Sequence, residues 1–342
     1  KRLAHALKEG APIEGKPLET ALYNIAALGG IEAAGVLSPG ADFGTSDVTI
    51  RVKDGKRQSY VLYSENYGSE TSGRYRFGVQ GTFENLTKSG DRLNLGVTLS
   101  NKDLHNYSIS YSHPVGADGT VLGLGVSRMD YELSGAFRRL GAEGAADTLS
   151  IFGTTPLWRT SKSSLVLSYG WDWRRLKDEY KAVGMELEKH SSTFRLGLKG
   201  EERQYRTSWT YDITAYCGRI GADSDWARAQ MKRAGTEGSF TKGVLNLNLR
   251  HEISDRWNIS LKAQAQKAGT NLDSSEELYL GGANGVRAYP QGEASGDNGY
   301  LTNLELSYRT DVPNLVLSTY FDMGRVQYAN DGKDGSETLK GW

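Results

Sequence analysis

Residues 244–266 read VLNLNLRHEISDRWNISLKAQAQ, a stretch in which apolar and polar side chains alternate on both sides of a short polar break. Before the break, Leu245, Leu247 and Leu249 alternate with asparagine and arginine. After it, tryptophan, isoleucine, leucine and alanine alternate with asparagine, serine, lysine and glutamine. Successive side chains of a β-strand point to opposite faces, so this spacing predicts two strands, each with one apolar and one polar face.

The same two-residue period recurs from Tyr60 almost to the end of the chain, in segments of about 9–13 residues, which is long enough to cross a bilayer at a tilt. A β-sandwich also alternates, so the connections between strands have to decide. Short connections, such as 87–90, 115–119 and 310–313, alternate with long ones spanning about 134–147, 176–191, 218–239 and 268–298. Because bacterial outer-membrane barrels have short turns on one side and long loops outside, we predict a mainly β protein, a transmembrane antiparallel β-barrel.

The composition argues against several classes of protein. Lys plus Arg and Asp plus Glu number 41 each, which gives a formal net charge of zero, so we expect no nucleic-acid partner. The single cysteine, Cys217, excludes an internal disulfide and is expected to fill space on a strand face. No stretch of about 18 apolar residues occurs, so no transmembrane helix is predicted.

Motifs for catalysis, for nucleotides and for metals are missing from the sequence. The glycines at 281–285 are not followed by the Lys-Ser/Thr of a phosphate-binding loop, and the five histidines are scattered without zinc-ligand spacing. We therefore expect no catalytic residue, no metal, no cofactor and no enzymatic activity. Spacing leaves open an enzyme whose site is assembled from separate strands.

The first 58 residues differ from the rest of the chain. Residues 17–28 carry apolar side chains at 18, 21, 22, 25 and 28, with proline at the start and two glycines after the end, which predicts a helix. Two short strands, 31–37 and 47–52, flank a turn-rich connector. We predict a small α+β unit over 1–58, followed by the barrel over 59–342.

The two ends of the sequence carry expectations of their own. About thirteen strands can be counted from Tyr60, with the start of another at 339–342, whereas single-chain barrels of this class close with even numbers. We therefore expect the barrel to be incomplete at its C-terminus in this sequence. The first residues lack the apolar region and cleavage site of a signal peptide, so an exported chain would have lost its beginning.

The longest predicted loop, about 268–298, holds an arginine among glycines. Residues 278–300 read LYLGGANGVRAYPQGEASGDNGY. Glycine permits positive φ and close approach to other backbone, so this loop can fold into the barrel and present a tip made of Val286, Arg287, Ala288 and Tyr289. The alternative is an arginine exposed to solvent in an outer loop.

A segment near the end of the chain supplies a partner for this arginine. In the run from Tyr320 to Gly324, Asp322 shares a strand face with both of these residues, while the opposite face is apolar, so Asp322 is predicted to point into the lumen. A desolvated carboxylate there needs a counter-charge, and the planar fork of arginine can bond it at two points. A loop that folds inward could supply Arg287 as this counter-charge.

These segments resemble, in order, the signatures of the Omp85 superfamily and of its two-partner secretion transporters, the TpsB or hemolysin activation/secretion proteins. The tip resembles Val/Ile-Arg-Gly-Phe/Tyr, with Ala288 where the family has glycine. The strand from Tyr320 resembles aromatic-x-Asp-x-Gly, in which the aspartate receives the loop arginine, so the resemblance implies that Arg287 and Asp322 pair and hold the loop inside the barrel. The N-terminal unit resembles the end of a POTRA domain. The resemblance implies a sixteen-stranded barrel in the outer membrane of a diderm bacterium, with about two strands missing here and the POTRA region in the periplasm.

The resemblance also implies a function. POTRA modules would catch an unfolded exoprotein by strand addition, and the barrel would conduct it to the cell surface without nucleotide hydrolysis. The expected partners are this secreted exoprotein and the outer-membrane lipid and lipopolysaccharide, and the protein is expected to be monomeric. Three alternatives stay open: an Omp85 barrel-assembly factor with more POTRA modules, a passive porin, and an outer-membrane enzyme.

Overall fold

The structure is a computed structural model that describes residues 2–4, 7, 9–332 and 334–342. The helices are α1 (Gly15–Ala26) and α2 (Asp225–Ala234), and 3₁₀ turns occupy Arg2–Ala4, Gly135–Leu140, Lys181–Val183 and Ser274–Glu276. The strands, in chain order, are β1 (Ile31–Pro39), β2 (Ser46–Asp54), β3 (Gln58–Glu65), β4 (Arg76–Glu84), β5 (Arg92–Ser100), β6 (His105–Pro114), β7 (Val121–Glu132), β8 (Ala142–Arg159), β9 (Ser163–Tyr180), β10 (Met185–Gln204), β11 (Thr207–Ala222), β12 (Gly238–Glu252), β13 (Trp257–Ala268), β14 (Leu278–Leu280), β15 (Ala294–Gly296), β16 (Asn298–Arg309), β17 (Val316–Gln327) and β18 (Ser336–Gly341).

One antiparallel sheet of fourteen strands forms the barrel wall and runs in chain order from β3 to β13 and then through β16, β17 and β18. Strands β14 and β15 pair only with each other, within the connection between β13 and β16. The mainly β antiparallel architecture is therefore as predicted, and its fourteenth strand, β18, is the one whose start was predicted at 339–342, although it begins earlier, at Ser336. None of the described helices is long and apolar enough to cross a membrane.

The register of the strands separates an apolar outer face from a polar inner face. Leu245 pairs with Ala265 on one side and with Ile213 on the other, so these three side chains lie in one row on the outer face. Leu245 and Ile213 are exposed, as an apolar surface is when lipid covers it. The next row, Asn246 with Gln264, points to the lumen, because a shift of one residue reverses the face of every side chain.

The wall is taller on one side than on the other. Strands β8, β9 and β10 have 18, 18 and 20 residues, whereas β3, β4 and β5 have 8, 9 and 9. The long loop predicted at 176–191 is wrong, because β9 and β10 continue to a tight turn at 181–184. Charged residues here pair across the strands, as Lys177 does with Glu186, and a strand stabilised by such pairs lacks the apolar alternation that predicts strands.

The N-terminal unit consists of α1 and the β1–β2 hairpin, and it packs on the turns at one end of the wall. The Thr20 hydroxyl donates to the carbonyl of Arg159 at 3.0 Å, and the Asn24 amide donates to the carbonyl of Asp118 at 3.0 Å. The backbone N–H of Gly30, just after α1, donates to Glu84 at 2.7 Å. The helix begins and ends two residues earlier than predicted, at 15–26 where 17–28 was expected, and both strands are longer than predicted.

The turn between β4 and β5 receives the end of α1, and Asp91 organises it. The Asp91 carboxylate accepts from the backbone N–H and the hydroxyl of Thr87 at 3.0 and 2.7 Å, and from the Tyr111 hydroxyl at 3.3 Å. Burial raises the pKa of Asp91, but these hydrogen bonds outweigh it, and the pKa is lower than the ordinary value. The carbonyl of Gly90 in the same turn accepts from the N–H of Gly29 at 3.3 Å.

Candidate functional site

The connection between β13 and β16, residues 269–297, folds against the inner face of the wall and is called the inward loop below. Its apolar side chains, among them Leu280 and Val286, are buried against inward-facing residues of three strands, Leu301, Val326 and Leu339. Its small β14–β15 hairpin pairs the backbone of residues 278–280 with that of residues 294–296. The loop is therefore a packed element of the lumen, as the sequence predicted for about 268–298.

Glycines make the bend of the inward loop possible. Gly281 and Gly282 have φ values of 83° and 86°, a conformation that side-chain-bearing residues rarely adopt. A Cβ atom on Gly285 would lie 2.5 Å from the carbonyl oxygen of Gly281, so a larger residue does not fit there. The turn closes with hydrogen bonds from the N–H of Gly282 to the carbonyl of Tyr289 at 2.9 Å and from that of Gly285 to Gly282 at 3.0 Å.

Arg287 at the tip of the loop binds two carboxylates of the wall, and these three residues are called the tip latch. Its Nε and Nη2 donate to the two carboxylate oxygens of Asp322 on β17 at 2.9 Å each, and its backbone N–H donates to the same carboxylate at 3.0 Å. Its Nη1 donates to Glu305 on β16 at 2.9 Å. Asp322 is completely buried, so its charge depends on this bidentate partner.

Two further wall residues shape the environment of the latch. The Tyr320 ring lies beneath the guanidinium of Arg287, with 3.8 Å between Cζ and the ring centroid, a cation–π contact. The Asn303 amide donates to the carbonyl of Gly285 at 2.8 Å and so fixes the backbone next to the tip. Hydrogen bonding to Asp322 raises the pKa of Arg287, and burial opposes this only in part, so the arginine stays charged.

Ala288 is accommodated although the family signature has glycine at this position. Ala288 is not among the described residues with positive φ, so its backbone conformation does not require glycine. Its methyl group faces Gly341 on β18, where an added Cβ would approach the Cβ of Ala288 to 2.8 Å. The wall therefore has a glycine opposite the alanine of the tip. Gly324, also in the predicted motif, leaves room in the same way for Leu280.

A second ion-pair cluster holds the first limb of the inward loop, and we call it the shoulder. The Lys189 ammonium lies 2.8 Å from Asp273, and Lys242 and Arg174 lie 2.8 and 2.9 Å from Glu276. The carbonyl of Glu276 also accepts from Lys242 at 2.7 Å. The two carboxylate side chains are only 5% and 3% exposed and the two lysines 10% each, whereas the tip latch has one buried carboxylate, Asp322, and two groups, Arg287 and Glu305, that are 28% and 36% exposed.

The helix α2 covers the lumen at the end where the shoulder lies. Ser224 caps its first turn by accepting from the N–H of Ala227, and its apolar side packs inward. Ala227 and Met231 are buried against Ile220 and Phe240 of the wall and against Leu272 of the inward loop.

Glu277 of the inward loop directly precedes β14. Burial raises the pKa of Glu277, although the Ser295 hydroxyl donates a hydrogen bond to its carboxylate at 2.6 Å.

The structure brings Arg287 of the predicted tip into contact with Tyr320 and Asp322 of the predicted wall motif. Val286 and Tyr289 pack in the apolar cluster of the loop, Ala288 faces Gly341, and Gly324 faces Leu280. Sequence reasoning missed Glu305 and the whole shoulder. Alternation along β16 places Glu305 on the inner face, so its orientation could have been inferred, but its contact with Arg287 could not. Cys217 lies exposed on a strand, where space filling was expected.

Comparison with known proteins identifies relatives of the whole chain. A family profile described as haemolysin secretion/activation protein ShlB/FhaC/HecB matches residues 44–342. The heme/hemopexin transporter protein HuxB of Haemophilus influenzae strain 86-028NP is 28% identical over 331 residues, which are 94% of this chain and 58% of HuxB. The hemolysin transporter protein HpmB of Proteus mirabilis is 23% identical over 98% of this chain and 60% of HpmB.

A solved structure has the same fold. CdiB from Escherichia coli superimposes with a TM-score of 0.81 at 21% sequence identity, covering 99% of this chain and 65% of CdiB. The chain spans a little under two thirds of the length of each of these relatives.

Proposed function

The chain belongs to the haemolysin secretion/activation family of two-partner secretion transporters, outer-membrane β-barrels of the Omp85 superfamily, and from this membership we propose that it translocates a partner exoprotein to the cell surface. HuxB and HpmB are named as transporters, one of heme/hemopexin and one of hemolysin, which supports a secreted protein as the cargo class.

One observation carries the proposal: the lumen contains a loop whose tip is held to the wall by noncovalent contacts and can separate from it. Arg287 binds Asp322 and Glu305 only through hydrogen bonds and charge, and its side chain is 28% exposed, so water can replace its contacts as it leaves. A fixed pore would have no need for a buried carboxylate whose partner lies on a loop.

We further propose that the protein is not an enzyme and that transport needs no nucleotide, since folding of the cargo outside the cell can supply the driving force. In this proposal the N-terminal α+β unit belongs to a periplasmic POTRA domain that binds the cargo by strand addition. Its hydrogen bonds to the wall turns, such as that of Asn24, would transmit cargo binding to the barrel. Lipid and lipopolysaccharide surround the barrel, which functions as a monomer.

A reversible crosslink tests the proposal in the full-length protein, produced with the exoprotein encoded beside it. The variant carries Arg287→Cys and Asp322→Cys in a Cys217→Ser background. The backbone nitrogen of Arg287 lies 3.0 Å from the Asp322 carboxylate, so the two positions are neighbours, and formation of the disulfide is verified from the mass of the oxidised protein. The exoprotein reaching the medium is measured under oxidising conditions and after reduction. We expect secretion to stop when the loop is tethered and to resume on reduction.

The matched control is Leu304→Cys with Phe321→Cys, a pair that faces lipid on the same two wall strands and leaves the loop free. This control should secrete under both conditions. Undiminished secretion by the oxidised tip variant, with the disulfide verified, would refute a moving tip. Absence of secretion by the unmodified protein would contradict the transport function itself.

A further inference from the structure

A cavity of about 390 Å³ lies beside the inward loop, between the loop and the inner faces of β12, β13 and β16. Its polar lining includes the side chains of Asn246, Asn248, Lys262, Gln264, Asn284 and Asn303, together with the two tip-latch residues Arg287 and Glu305. We call this cavity the side groove. It remains open while the tip latch is closed, so its lining is available before the loop moves.

The lining offers hydrogen-bonding groups that the protein itself leaves unused. Among the described residues, the amides of Asn246, Gln264 and Asn284 have no hydrogen-bond partner, and Lys262 has neither an ion pair nor a hydrogen bond. Glu305, the carboxylate of the groove, is already bound by Arg287 at 2.9 Å. The free groups are therefore amide donors and acceptors plus one ammonium, a combination that suits peptide groups and carboxylates.

The spacing of these groups matches an extended polypeptide. Asn246 is paired with Gln264 across β12 and β13, and Asn248 is paired with Lys262 in the next inward row. Inward rows on a strand repeat every second residue, about 6.6–6.8 Å, which is also the repeat of an extended chain lying along the wall. A guest strand would therefore meet an amide or the lysine at each of its own repeats.

We propose that the side groove is a binding subsite for the transported polypeptide, which it takes in extended form, with neutral or acidic side chains opposite Lys262. The proposal rests on the proposed function and adds to it a location and a charge preference. A conduction path needs sites that bind the cargo well enough to admit it and weakly enough to release it. Amide side chains suit such a site because each hydrogen bond that they form with the cargo is weak.

The test uses the full-length protein in planar lipid bilayers, with synthetic peptides as the probe. Peptides of about 20 residues, long enough to span the lumen when extended, consist of Gly, Ser and Thr with Asp, Lys or neither at every fourth position. Single-channel recording gives the dwell time of each block when the peptide is added on the side of the N-terminal unit. The variants are Lys262→Gln and the double replacement Asn246→Leu with Gln264→Leu.

We expect the Asp peptide to block the unmodified protein for longer than the Lys peptide, and Lys262→Gln to shorten the Asp block by about fivefold, the size typical of a partly exposed ion pair. The double replacement should shorten the blocks of all three peptides. Lys267→Gln is the matched control, because this exposed lysine lies on the same strand but faces outward, paired with Gly243. Its block times should not change.

Equal block times for all three peptides, or Lys262→Gln and the double replacement matching the unmodified protein, would overturn the subsite. Absence of any block would overturn it as well. Secretion of the natural exoprotein by the same unmodified protein is measured in parallel. Normal secretion with a failed groove test leaves the transport function standing, so the two proposals can fail separately.

Discussion

Replacing Arg287 with alanine removes the centre of the tip latch and leaves two carboxylates without their partner. Asp322 loses three hydrogen bonds, from Nε, from Nη2 and, if the tip moves away, from the backbone N–H. Glu305 loses one. Because Asp322 is completely buried, it must then either become hydrated by opening of the lumen or take up a proton.

The structure sets the size of this effect. Removing one partner of a buried ion pair destabilises a protein by about 3–5 kcal/mol. The side chain of Arg287 is 28% exposed, so water compensates for part of the loss, and we expect about 2–4 kcal/mol. At about 1.4 kcal/mol for each factor of ten, the ratio of latched to released loop should fall by about 30- to 700-fold.

The two carboxylates should differ in their contributions. Asp322→Asn keeps an acceptor near Nη2 and leaves Arg287 with Glu305 and the Tyr320 ring, so its effect should be smaller than that of Arg287→Ala. Glu305→Gln should change the equilibrium by about 1 kcal/mol or less, because this carboxylate is 36% exposed and water screens the pair. The double replacement of Arg287 and Asp322 should be less destabilising than the sum of the single ones.

The assay labels a cysteine on the loop. Val286→Cys, in a Cys217→Ser background, is treated with a small water-soluble maleimide. Val286 is 0% exposed while the tip is latched, so the labelling rate reports the fraction of released tips. Arg325→Ala is the control, since this arginine lies on β17 next to the motif but is exposed and donates to Ser336. Strictly additive effects, or an Arg287→Ala rate equal to that of the control, would refute the latch.

Three further predictions concern other parts of the structure. Lys189→Met should leave the buried carboxylate of Asp273 without its ion pair and lower the free energy of unfolding by about 3 kcal/mol. The measurement is the temperature at which the barrel unfolds, read from its change in mobility on a gel. Gly341→Ala should push against Ala288 and raise loop labelling in the assay above, and Ala288→Gly should restore it. Asp91 has a lowered pKa, so it stabilises the turn above its ordinary pKa of 3.8, and this stabilisation should be lost as the pH falls below about that value. Protease sensitivity of the N-terminal unit should therefore rise on acidification, and Asp91→Asn should remove that pH dependence.

Each of these has a result that contradicts it. If Lys189→Met and the double replacement Lys189→Met with Asp273→Leu unfold at the same temperature, the single replacement leaves no costly buried charge at Asp273. Loop labelling unchanged in Gly341→Ala would show that the tip tolerates the added methyl group. A proteolysis profile with the same pH dependence in Asp91→Asn would place the sensitivity at another carboxylate.

Alternation predicted the strands of the wall and the side on which each residue lies, because the period of two is imposed by the backbone of every strand, and the unequal connections were needed to predict a barrel. It also placed Asp322 in the lumen, but Arg287 as its partner came from the resemblance to the Omp85 signatures, since the loop sequence alone favours an arginine exposed to solvent. The height of the wall at β9 and β10 could not be obtained in this way. Above the lipid, the outer face needs no apolar side chains, so the alternation that indicates a strand is lost.

The shoulder was not predictable for a different reason. Lys189, Lys242 and Arg174 lie on three strands separated by many residues, and alternation gives only their face. Which of them meets Asp273 or Glu276 depends on the height at which each strand crosses the loop, and on the relative stagger of the strands. That information is in the register of the folded sheet and in no local segment.

The unequal hydration of the two attachments decides which part of the inward loop can move. At the shoulder the carboxylates are 5% and 3% exposed, and release would leave buried charges with no water to replace their partners. At the tip only one carboxylate, Asp322, is buried, and Arg287 and Glu305 are 28% and 36% exposed, so release there leaves one buried charge without its partner where the shoulder would leave two. We therefore expect the tip to separate from the wall while the shoulder stays bound, with Gly281 and Gly282 between them as the place where the backbone bends. Cargo would then pass beside an anchored loop, and the loop would not have to leave the lumen.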